Sequence, residues 1–267
     1  MRPAPGAWPF DPTVYLGLIA LLLGYTVLAR RTPGYRRVRG LYWLLGLLTV
    51  WIALETPIDT LSDEYLQSVH MSQHVLIGII APPLLLLGLT PAMAAWLARN
   101  VPLLRWSAEP VQAQVIFGIV MIAWHLPGLY DLTLANEGVH IFEHLTFMAG
   151  GFVYFWPVVT ATAAQSRWQL GEVGRIVYLI VGTFPQDTVG LILTFSRHPF
   201  YEFYIRAPRV APSLDPLSDQ VLAGIVLMGA GKISYLVAML KIFFQWLARA
   251  RSEETARDEA RLASKVV

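Results

Sequence analysis

Apolar residues run along the chain in seven blocks, at 13–29, 40–54, 65–89, 111–130, 138–162, 173–195 and 218–247, divided by charged or Pro/Gly-rich connections. About 20 consecutive apolar residues in a helix cross the hydrocarbon core of a bilayer. The pattern therefore predicts an all-α, polytopic membrane helix bundle with seven transmembrane helices. The second block is short, and the seventh leads into a charged stretch, RSEETARDEARLASK. That change of character divides a single membrane domain, 1–247, from a charged tail, 248–267. The first block reads as a retained helix, because its arginines follow the apolar run and no small-x-small cleavage site comes next. No internal repeat of the inverted-transporter kind is visible.

Composition agrees with the pattern: 55% of residues are hydrophobic and 14% charged, with a mean hydropathy of +0.52, against about 25% charged in an ordinary soluble domain. The absence of cysteine removes disulfides, thiolate metal sites and thiol catalysis. The net charge of +2 matters less than its distribution. Connections one, three and five are basic, carrying Arg30, Arg31, Arg36, Arg37 and Arg39, then Arg99 and Arg105, then Arg167 and Arg175. Connection two instead holds Glu55, Asp59, Asp63 and Glu64, and connection four has no basic residue. Arg249, Arg251, Arg257, Arg261 and Lys265 follow the last block. Basic connections face the cytoplasm, so the N-terminus is expected outside and the C-terminus inside. Arg197, Arg206 and Arg209 in connection six are the exception.

With this topology all six histidines map to the outer leaflet or outer surface. His70 and His74 open the third span in HMSQH, His140 and His144 open the fifth in HIFEH, His125 lies near the outer end of the fourth, and His198 begins the long outer loop. Residues i and i+4 share a helix face about 6 Å apart along the axis. Two imidazole pairs and a fifth imidazole thus sit at one depth, and polar residues inside spans usually face the bundle interior. Imidazole binds zinc, copper, iron and nickel, which makes His70, His74, His125, His140 and His144 the expected metal ligands. Met71, Met121 and Met148 lie beside them; thioether sulfur suits Cu(I), although methionine also serves as a filler in apolar packing. Asp187, two residues after Pro185, and Asp219 at the outer start of the seventh span are candidates for a supporting role, as is Glu143. Lys232, deep in the seventh span, needs a partner that the sequence does not name. Pro82 and Pro83 are expected to kink or break the third span.

These blocks resemble the CtaG-type assembly factors of bacterial cytochrome c oxidase over roughly residues 40–247. HMSQHVLIGIIAPPLLLLG, WHLPGLYDLTL, HIFEHLTFMAGGFVYFWPV, LTFSRHPFYEFY and LSDQVLAGIVLM occur in the family's order. His70, Gln73 and His74 fall on its HMxQH block, Pro82 and Pro83 on its APP block, and Trp124, His125 and Pro127 on its WHxP block. His140, Glu143 and His144 fall on its HxxEH block, and Asp219 and Gln220 on its DQ pair. Lys232 in MGAGKISY and Asp187 depart from the family's pattern. The resemblance implies a multi-span protein of the bacterial inner membrane that acts in oxidase maturation and copper insertion. Its partners would be the oxidase catalytic subunit, an extracytoplasmic copper donor and lipid, with no nucleic acid.

The expected function is therefore non-enzymatic: Cu(I) bound by the histidines and passed laterally to the nascent oxidase subunit. A haem-binding redox protein is the alternative, with axial ligands from different helices. HIFEH also matches the HxxEH metallopeptidase motif, in which two His hold zinc and Glu is the base, but the sequence supplies no third ligand.

Overall fold

Proline at the first helical position, where its missing N–H is not needed and its fixed φ suits the turn, opens many of the helices. The structure, a computed structural model, describes residues 3–33, 35–160 and 169–265, with side chains as far as residue 257. Arg167 and the end of the fifth predicted span, 161–162, lie outside the described residues. α1 (Pro12–Arg31) is capped by Asp11, whose carboxylate accepts from Thr13 N at 2.7 Å. α2 (Arg37–Leu54) leads to the short α3 (Pro57–Glu64), capped by Thr56. A 22-residue helical unit, Gln67–Gly88, follows; it comprises α4 (Gln67–Val75), a π-helical turn (Leu76–Ile80) and α5 (Ala81–Gly88). Then come α6 (Pro91–Asn100), α7 (Pro102–Ser107), α8 (Pro110–Trp124) and α9 (Pro127–Ala135). α10 (Glu137–Val159), α11 (Glu172–Phe195), α12 (Glu202–Arg206) and α13 (Pro216–Lys265) complete the chain. Among the described residues no strand forms.

Among the described residues five helical units are long and apolar enough to cross a membrane: α1, α2, the α4–α5 unit, α11 and α13. α8 and α9 add a sixth if taken as one broken span, bent by 74°. The predicted fourth block, 111–130, runs through this bend. Pro127 disfavours helical geometry at the residue before it, and Leu126 is extended at φ −67°, ψ 129°, so α8 stops at Trp124. α10 has the length of a span, but its first turns, EGVHIFEH, are polar, which keeps it out of the apolar set. α13 passes residue 247 without interruption.

The bundle is apolar outside and encloses a group of buried polar side chains within its apolar core. Leu16, Ile119, Phe184 and Val237 are each more than half exposed, whereas His70, Gln73, His74, Glu143, Gln186 and Gln220 are buried. An apolar girdle with its polar side chains turned inward is the arrangement a bilayer favours. α10 is the central element, packing on α8, α5 and the π turn, while α11 packs on α13 and α13 on α4.

The prolines of the third span are absorbed by the π turn. Pro82 and Pro83 have no N–H for the carbonyls of Gly78 and Ile79. The turn before them widens, and the Ile79 carbonyl accepts from Ser234 Oγ on α13 at 3.1 Å. The Gly78 carbonyl faces Gly151 of α10 so closely that a Cβ there would lie 2.0 Å from the oxygen. This approach draws α4 and α10 together and sets their histidine faces against each other.

Candidate metal centre

The two HxxxH pairs meet across the α4–α10 contact. Within α4 the His70 and His74 rings lie 4.3 Å apart, and within α10 the His140 and His144 rings lie 4.1 Å apart. Between helices, His70 is 5.5 Å from His140, and His74 is 5.9 Å from His144. The Nε2 atoms of His70 and His74 are 2.8 Å apart, so one of them carries the proton between them. Glu143 projects into the same space, with one carboxylate oxygen 3.5 Å from His74 Nε2 and the other 3.9 Å from His70 Nε2. One ligand atom each from His70, His140, Glu143 and His144 lie within 4.8 Å of one another. Both Glu143 oxygens, His140 Nε2 and His144 Nε2 are buried without a hydrogen-bond partner among the described residues. Buried polar atoms normally find partners, and convergent unpaired donors of this kind suit a cation.

His125 extends the cluster from the end of α8, its ring 5.6 Å from that of His74. Its Nδ1–H donates to the Met121 carbonyl at 2.6 Å, and this fixes the tautomer. His125 Nε2 then faces Met71 Sδ at 3.3 Å, lone pair toward lone pair. Tyr201 Oη donates to the His125 carbonyl at 2.9 Å, so the break at Pro127 frees that carbonyl for a tertiary bond. Met121 thus contributes its backbone, and Met71 its sulfur. Phe147, fully buried, closes the inner side with its ring 4.3 Å from that of His74.

α3 covers the other end. Asp63 lies 3.4 Å from His140 Nδ1 and 4.0 Å from His70 Nδ1. Asp59, one turn earlier, accepts from Gln73 Nε2 at 2.8 Å, and Ser62 Oγ donates to Gln73 Oε1 at 2.9 Å. Gln73 thereby ties α4 to α3. Burial, then repulsion from Asp63, pushes the Asp59 carboxyl up to about 8, with the Gln73 hydrogen bond opposing; burial pushes Asp63 up to about 7. A carboxyl whose folded value exceeds its unfolded value of about 3.9 binds more protons folded than unfolded, so stability falls as pH rises between the two. The metal-free protein in detergent is accordingly expected to melt at progressively lower temperature from about pH 4 to about pH 8. Asp59→Asn, which keeps the acceptor for Gln73, flattens that decline; an unchanged slope would contradict the assignment.

The remaining candidates have other placements. Asp219 accepts from Gln67 N at 2.7 Å, Ser68 N at 3.2 Å and Ser68 Oγ at 2.5 Å, capping the helix that carries His70 and His74. Gln220 Oε1 accepts from Phe200 N at 2.7 Å and pins the long loop. Asp187 pairs with Lys232 Nζ at 3.0 Å between α11 and α13, which supplies the lysine's partner. Met148 lines a groove beside the cluster, and His198 is exposed.

The model of the cytochrome c oxidase caa3 assembly factors matches residues 19–249. The chain belongs to that family. Among curated proteins, it is 24% identical to an uncharacterized protein of Mycobacterium leprae over 90% of this chain and 39% of the relative. It is 22% identical to uncharacterized proteins of Mycobacterium bovis and Mycobacterium tuberculosis, in each case over 97% of this chain and 40% of the relative. The chain thus spans about two fifths of the length of the curated relatives it matches. No solved structure matches it.

In this chain the α3 acids and Tyr130 are the residues that sequence reasoning missed as neighbours of the cluster. Tyr130 is buried, 5.2 Å from His70 and stacked at 3.9 Å on Tyr201, with its hydroxyl unpartnered among the described residues. The signal for Asp59 and Asp63 was present: Thr56-Pro57 is a helix start, and acids four apart then share a face.

Proposed function

We propose that this protein is a copper-handling assembly factor of cytochrome c oxidase, which holds Cu(I) as cargo among His70, His74, His125, His140 and His144 and passes it to the catalytic subunit. The observation that carries the reading is the convergence of His70, His140, Glu143 and His144 ligand atoms within 4.8 Å, inside a bundle of membrane-compatible helices. The facing Met71 Sδ and His125 Nε2 offer the soft sulfur and imidazole that Cu(I) favours. In this reading the protein lies in the bacterial cell membrane with seven transmembrane helices, counting α8–α9 and α10. Its N-terminus lies outside and its C-terminus in the cytoplasm, on the alternation of basic connections. Copper then arrives from an extracytoplasmic donor at the face that bears the histidines.

Imidazole rings packed 4.1–5.9 Å apart favour a single ion over a macrocycle inserted between them. Protein purified anaerobically is therefore expected to carry stoichiometric copper and to lack a Soret band. Haem absorption, or an inability to bind copper, would overturn the reading. One observation favours a second reading, a metallopeptidase: His70 supplies the third imidazole that HxxEH alone lacks. Glu143→Gln separates the two, since a peptidase loses its activity while a copper carrier keeps its ability to bind the metal.

A further inference from the structure

A groove of about 810 Å³ runs between α1 and α10 and reaches the cluster from the side. Val14, Gly17 and Leu18 line one wall, and His140, His144 and Met148 line the other. Asp11, Asp59, Asp63 and Glu137 gather at the end where α3 meets the start of α10, and no Lys or Arg is among the described residues that line it. Behind its wall His70, His74 and Glu143 are sealed, each no more than 1% exposed. Clefts lined by one sign of charge concentrate the opposite ion, and buried imidazoles exchange a metal only where a path reaches them.

We propose that this groove is the path by which the copper cargo reaches and leaves the buried cluster, with Asp11 and Glu137 at its mouth drawing the cation in and His140 and His144 as the first imidazoles it meets. Asp63 sits at the join, beside both His140 Nδ1 and His70 Nδ1. A carboxylate on Nδ1 turns the other ring nitrogen toward the ion, and His140 Nε2 is the unpartnered buried atom on the inner side. α1 forms the outer wall: it rests on α2, and Leu16, Ile19 and Leu23 on it are exposed.

The inference rests on the copper reading, and the two can fail separately. The chain has no cysteine, so one introduced thiol is uniquely addressable. Gly17 lines the groove, and an added Cβ there meets nothing within 4 Å; Gly24, two turns along α1, is equally free but does not line it. Gly17→Cys and Gly24→Cys are each capped with fluorescein maleimide or with a small methylthio group, and then loaded with Cu(I) and stripped with a chromogenic chelator. The bulky cap at residue 17 is expected to slow loading and stripping by about tenfold or more. The small cap at 17 and both caps at 24 leave the rates unchanged, and all four forms reach the same final copper content. Equal rates for the bulky and small caps at 17 would overturn the groove as the path while leaving the site intact. No copper uptake by the uncapped, unsubstituted chain would overturn the site reading and this one with it.

Discussion

His70→Ala lowers Cu(I) affinity by about 100-fold, the loss expected if one imidazole ligand contributes about 3 kcal/mol of a binding energy of about 12 kcal/mol. His70 has this weight because of its position. Its ring is the one in contact with His74, His140 and His144 together, and its Nε2 also faces Glu143 at 3.9 Å. Alanine leaves no donor on α4 opposite His140, and His74, one turn inward, cannot replace it without moving the helix. Competition titration with a chromogenic Cu(I) chelator measures the change, and His198→Ala, on the exposed loop, serves as the unaffected control. Affinity within about twofold of the unsubstituted protein for His70→Ala would remove that residue from the site.

Gly151→Ala is expected to cost about 3 kcal/mol or more and to prevent a well-packed bundle, at the upper end of what overpacking does. The added Cβ would lie 2.0 Å from the Gly78 carbonyl oxygen and 2.8 Å from Pro82 Cγ. The first of these is backbone in the π turn, which cannot rotate away as a side chain can. Relief requires α4–α5 and α10 to separate, and that separation pulls the two histidine pairs apart. Small residues at helix contacts within membranes serve this close approach. Gly128→Ala, where a Cβ meets nothing within 4 Å, is the neutral comparison. Detergent-stability and copper-binding assays should fall together for Gly151→Ala; a stable variant with its copper site lost would place the coupling elsewhere.

What the sequence disclosed follows from which interactions are local. Apolar blocks and i,i+4 histidines are short-range patterns, so α1, α2, the Gln67–Gly88 unit and α11 lie close to their expected limits. The break at His125–Leu126 was missed because block 111–130 stays largely apolar on both sides of the bend; the decisive signal is a single proline. Asp187 looked like a possible site acid until the structure paired it with Lys232 across two helices, a contact that no spacing rule anticipates. The α3 acids were read only as topological charge, because their place beside His140 and His70 depends on how α3 folds onto α4 and α10. Met71 and Met121 were flagged for sulfur, yet only Met71 presents it to a histidine, while Met121 acts through its carbonyl.

The central claim is that a copper ion sits among imidazoles from two HxxxH helices. The most direct measurement is X-ray absorption at the copper edge on protein loaded anaerobically with Cu(I). The account predicts a Cu(I) edge with imidazole nitrogen scattering that is lost when His70, His140 and His144 are replaced together. Copper without imidazole scattering, or a spectrum unchanged by that triple replacement, would contradict it.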